Sequence, residues 1–118
     1  GKFTDMAKNF YDLLQFIIQN TPPDCIVYFL HHVQEDEQGK VKAKTVGKML
    51  DSLLTVEGLF SVVLMAKTEN GQYFFQTHNS GADTVKSPID MFTDDRIDND
   101  LKKVDTIIRE YWNLGGNE

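Results

Sequence analysis

Cys25-Ile26-Val27-Tyr28-Phe29-Leu30-His31-His32 is an apolar run that stops abruptly at two histidines, and the expected architecture follows from it. No charge interrupts Ile26 to Leu30, and polar and apolar residues do not alternate, so both faces of the segment call for cover. A short run rich in β-branched and aromatic residues, between Pro22-Pro23 and a polar loop, reads as a fully buried strand. Strands covered on both faces are typical of parallel sheets with helices on either side. Ligands of such sheets sit beyond the carboxyl ends of the strands, where His31 and His32 would fall.

Outward from this run, Phe3, Met6, Phe10, Leu13, Leu14 and Ile17 follow helical spacing, with Thr4 or Asp5 placed to cap the start and Thr21-Pro22-Pro23 the end. Phe16 and Ile18 widen the stripe, so this helix is expected to lie deep against a sheet. On the other side, Val33 to Lys44 reads as a polar loop, followed by a weak helical stretch through Val46, Met49, Leu50, Leu53 and Leu54. Leu59 to Ala66 is a second continuous apolar run. Asn70-Gly71 then joins strand-like segments, the sequence signature of a hairpin turn whose two central residues take positive φ. His78 to Pro88 and Asp94 to Asn99 read as irregular. A last helix carries Leu101, Val104, Ile107, Ile108 and Tyr111 on one stripe, capped by Asp98 or Asn99 and closed by Gly115-Gly116. The expectation is α/β, a single domain over residues 1–118: a buried central strand plus a β-hairpin, flanked by N- and C-terminal helices.

The chain has 118 residues, 41% of them hydrophobic, and a formal net charge of −6. That suffices for one core and argues against broad adhesion to nucleic acid or anionic membrane. No segment has the length of a membrane span, and the single cysteine, Cys25, allows no internal disulfide, so a reducing, cytoplasmic setting is expected. Cys25 itself reads as inert packing.

The chemistry-bearing motifs are mostly absent. Gly47-Lys48 lacks the upstream glycine and the following hydroxyl residue of a phosphate-binding P-loop. His31, His32 and His78 lack zinc-ligand spacing, and Glu35-Asp36-Glu37 lacks the pattern of a calcium loop, so no metal site is read. No serine stands in a nucleophile elbow. Three features remain open. His32 reads either as a surface histidine or as a polar switch at a ligand edge. Lys40, Lys42, Lys44 and Lys48 hold four of the 12 basic residues in one short stretch, either a solvated loop or contacts to a nucleic-acid backbone. Lys86 reads either as an exposed cation or as a phosphate contact made across a subunit boundary.

Several pieces in order carry a resemblance: Val27-Tyr28-Phe29-Leu30-His31-His32-Val33, Lys44-Thr45-Val46-Gly47-Lys48-Met49-Leu50, Phe74-Phe75-Gln76-Thr77, Lys86-Ser87-Pro88-Ile89-Asp90-Met91-Phe92 and Asn99-Asp100-Leu101-Lys102-Lys103-Val104-Asp105. The chain resembles the C-terminal half of a RecA-like P-loop ATPase, of the phage and prophage kind related to RecA and RadA and linked to single-strand annealing and recombination. The resemblance implies that His32 senses the γ-phosphate and that Lys86 reaches the ATP of a neighbouring subunit. It implies that Lys40, Lys42, Lys44 and Lys48 contact single-stranded DNA. It also implies that the P-loop and Walker B strand, with ATP and Mg2+, belong to sequence before Gly1. The chain would then be an inactive fragment of an oligomeric ATPase, with a bared sheet edge inviting dimerisation or a segment swap. The alternative is a stand-alone, non-enzymatic module that binds protein partners through its hairpin and acidic surface.

Overall fold

In the computed structural model, which describes residues 2–43 and 56–115, the chain divides into two compact units, residues 1–60 and 61–118. Helices and sheet are both present, as an α/β chain requires, and every strand pairing is antiparallel among the described residues. The parallel arrangement expected from the apolar run is therefore not found. Neighbouring strands here are joined by short turns, and a short turn can only reverse the chain.

The first unit opens with α1 (Lys2–Asn20). The helix starts before Thr4 and Asp5, so Asp5 lies in its first turn instead of capping it, and it ends as expected at Thr21, whose N–H donates to Ile17 O at 2.9 Å. Of its stripe Leu14 is buried and Phe10 and Ile17 are half-buried, while Leu13, Phe16 and Ile18 are exposed. The helix is amphipathic but not deeply covered.

Residues 25–32 correct the central expectation. They belong to no strand; Val27, Phe29 and Leu30 are 45%, 41% and 83% exposed, and Cys25 is exposed too. Ile26 and Tyr28 are half-buried, and the Phe29 ring meets Phe60 edge-on with centroids 5.1 Å apart. The physical reason is that an apolar run becomes a strand only beside strands that pair with it, since its N–H and C=O groups need a ladder. No described segment supplies one. Strand pairing begins one residue after His32, where β1 (Val33–Glu35) pairs with β2 (Val41–Ala43) in a hairpin that sequence reading took for a loop. Asp36 builds its tip, accepting from the N–H groups of Gln38 and Lys40, each at 2.9 Å, while Gly39 takes φ 81°. The helix expected over Val46 to Leu54 lies outside the described residues. A single 3-10 turn, Val56–Leu59, follows it.

The second unit is built on a meander of β3 (Met65–Glu69), β4 (Gln72–Gln76) and β5 (Arg96–Asp98), in the order β3-β4-β5. The β3–β4 hairpin turns at Asn70 and Gly71 with φ of 54° and 77°, as that dipeptide predicts. The second apolar run joins the sheet later than expected, at Met65, with Val63 forming one isolated bridge before it. β5 falls where the sequence reads as irregular; Phe74↔Asp98, Phe75↔Ile97 and Gln76↔Arg96 set its register. Helix α2 (Leu101–Tyr111) is capped by Asp100, not Asp98 or Asn99, its carboxylate accepting from the N–H groups of Lys102 and Lys103. It ends at Asn113, before Gly115: with Asn113 at φ 52°, Leu114 N–H reaches Arg109 O and Asn113 N–H reaches Glu110 O, a Schellman closure. Phe75, Val85, Met91, Phe92, Val104 and Ile108 form the buried core of this unit.

Candidate functional site

Lys86 lies where the backbone is most firmly determined. Val63 N–H donates to Lys86 O at 2.8 Å and Lys86 N–H to Val63 O at 3.0 Å, so the lysine is paired on one side of its peptide plane. Val85 before it is buried, and the Ser87 hydroxyl after it donates to Thr77 O at 2.8 Å. Lys86 is half-buried, and no acidic side chain of the described residues pairs with its ammonium. A fixed stem and an uncommitted charge are what a contact to an external anion requires.

The loop that delivers Lys86 is organised by Asp83, a buried carboxylate that sequence reading passed over as loop polarity. It accepts from the Ser80 hydroxyl, from Ser80 N–H at 3.3 Å, from Gln76 Nε2 at 2.8 Å and from Val85 N–H at 3.0 Å. Burial alone would raise its pKa. The hydrogen bonds from Ser80, Gln76 and the Val85 and Ser80 amides outweigh that, holding the carboxyl below the ordinary aspartate range. Asn79 closes the loop, donating to Asp83 O at 2.8 Å and Val85 O at 3.3 Å.

His78 is a second residue that the sequence did not single out. Its Nδ1 lies 2.8 Å from Asp95 Oδ1 and 3.0 Å from Thr77 Oγ1. The Thr77 hydroxyl donates its own proton to Asp94 O at 2.6 Å, so both neighbours of Nδ1 are acceptors and Nδ1 carries the proton. The pair resembles the oriented half of a hydrolytic triad, yet among the described residues no hydroxyl or thiol hydrogen-bonds Nε2. The nearby Ser80 hydroxyl is committed to Asp83.

The remaining candidates fall in the first unit. His32 is exposed in the irregular segment before β1, and the His31 ring lies tilted against Phe10 at 6.5 Å. His32 and Lys86 thus belong to different units. Lys40 is exposed at the tip of the β1–β2 hairpin and Lys42 stands in β2 opposite Gln34, which puts these two on one short arm. Lys44 and Lys48 lie outside the described residues. Among the described residues no group of three or more histidine, cysteine, aspartate or glutamate side chains could hold a metal ion. No helix of the described residues is long and apolar enough to cross a membrane.

No family model, no curated protein and no solved structure matches this chain.

Proposed function

We propose that this chain is the C-terminal portion of a RecA-like P-loop ATPase of the phage and prophage kind, acting in DNA recombination or single-strand annealing, and that it does not turn over ATP alone. The observation that carries this reading is the uncovered run Ile26–Leu30. Its composition belongs inside a sheet, but it lies irregular with Leu30 83% exposed. A run of this kind costs free energy in water, and strands supplied by other sequence would both pair and cover it. With the run paired as the central strand of a partial RecA-like sheet, His32 would stand at that strand's end as the phosphate sensor.

Lys86, with its fixed backbone and an ammonium that no described acidic side chain engages, supports the second half of the reading. It would set a positive charge against the phosphate oxygens of a nucleotide held by a neighbouring subunit, a cation positioned in the manner of an arginine finger. ATP and Mg2+ would be held by P-loop and Walker B segments that this chain does not contain, and none of the described side chains substitutes for them. The uncovered run would also let the isolated chain dimerise or exchange segments.

In the longer protein, Lys86→Ala should slow ATP hydrolysis by assembled protein by roughly ten-fold or more while leaving nucleotide binding intact. Hydrolysis at the normal rate would remove Lys86 from the role. The same uncovered run favours one other reading, a non-enzymatic module that docks a protein partner there. The absence of any P-loop in sequence preceding the chain would select that reading.

A further inference from the structure

The face of the β3–β4–β5 sheet opposite Phe75 carries a cleft of about 500 Å³, within the range of small-molecule sites. Residues directly opposite each other in antiparallel strands share a face. The pairs Lys67↔Phe74 and Gln76↔Arg96 therefore bring four side chains together, and all four line the cleft. Solvated faces of antiparallel sheets are ordinarily polar, but Phe74 is an aromatic ring, with the Arg96 guanidinium carbon 4.5 Å from its centroid. Arg96 also pairs with Glu69 at 2.7 Å, and its side chain stays 60% exposed, so guanidinium surface remains for a second planar group.

Gln76 supplies an independent sign of a missing ligand. It is 7% exposed, and its Nε2 donates to His78 O at 2.7 Å and Asp83 Oδ2 at 2.8 Å, which fixes the end of the amide that is oxygen. The buried Oε1 has no hydrogen-bond partner. Buried acceptors are nearly always satisfied, so this one is owed a donor. The charges complete the pattern. Both carboxylates of the cleft are engaged, Glu69 by Arg96 and Asp95 by His78, whereas Lys67 pairs with no acidic side chain of the described residues. The spare groups are thus a flat cationic platform, one buried acceptor and one free ammonium.

We infer that this cleft binds a phosphorylated nucleoside, either free or as an unpaired unit of a single strand. The base stacks on the Arg96–Phe74 pair and gives an edge N–H to Gln76 Oε1, and the phosphate lies by Lys67. The inference rests on this unit alone and stands whether or not the chain is part of an ATPase.

The test uses the full chain, isotopically labelled, titrated in separate experiments with uridine monophosphate and with oligothymidylate, both of whose bases carry an N–H. Amide shifts confined to the neighbourhood of Lys67, Gln76 and Arg96 are expected. Saturation by the oligonucleotide alone would identify the source as a strand, and saturation by the mononucleotide would identify it as free nucleotide. Arg96→Lys, which keeps the charge and loses the plane, should weaken binding roughly five-fold or more. Lys67→Met, at an exposed position that leaves the fold intact, should reduce its salt dependence. No shift with either probe at millimolar concentration, shifts mapping elsewhere, or unaltered binding by both variants would overturn the inference.

Discussion

Asp83 shows how one side chain can hold a functional loop. Four donors converge on its carboxylate from Ser80, Gln76 and Val85, and the next residues in the chain present Lys86. Truncation to alanine leaves the Gln76 amide and two backbone N–H groups without an acceptor in a buried place. Asp83→Ala should therefore cost about 2–4 kcal/mol of stability, read from urea unfolding. The pH dependence has a definite sign. The folded-state pKa lies below the unfolded one, so the unfolded chain binds the proton more readily. The contribution is complete above the ordinary aspartate pKa and is lost as pH falls through the depressed folded value. Wild-type stability should fall more steeply with acid than that of Asp83→Asn, which has no proton to take up. None of this was legible in the sequence, where Asp83 is one acidic residue among many and its donors lie up to seven positions away.

At the scale of elements, legibility tracked how local the cause was. The Asn70-Gly71 turn follows from backbone sterics at two residues, and the structure has it where expected. Gly71 at φ 77° has nothing within 4 Å of where a Cβ would stand, so Gly71→Ala tests the conformational cost with no clash added. It should destabilise the second unit by about 1 kcal/mol, measured by thermal unfolding. Helix α2 was legible too, since its stripe and cap are written close together in the chain, though the cap proved to be Asp100. β5 was not, because Arg96-Ile97-Asp98 is too short and polar to announce a strand; it exists because β4 offers it an open edge. The cleft was invisible for a related reason. Gln76 and Arg96 meet only through that register, and no spacing along the chain encodes it.

At the scale of the molecule, the misread run Ile26–Leu30 is informative. Composition reported correctly that the segment asks for cover, but composition cannot report whether the described chain contains the covering strands. The same limit applies to the lysine arm. Lys40 and Lys42 stand together on the β1–β2 hairpin, and their role depends on what the arm meets. In the longer protein, Lys40→Glu with Lys42→Glu should weaken single-stranded DNA binding and lower the slope of log K against log salt by about 0.7 for each phosphate no longer neutralised. Unchanged affinity and slope would take the arm out of the DNA path.

The central claim is that Ile26–Leu30 is a sheet strand awaiting its neighbours. Amide hydrogen exchange measured at these residues, in the chain alone and in the longer protein with its preceding sequence, tests it most directly. The account predicts fast exchange in the isolated chain and strong protection in the longer one, as befits a core strand. Equally fast exchange in both would contradict it.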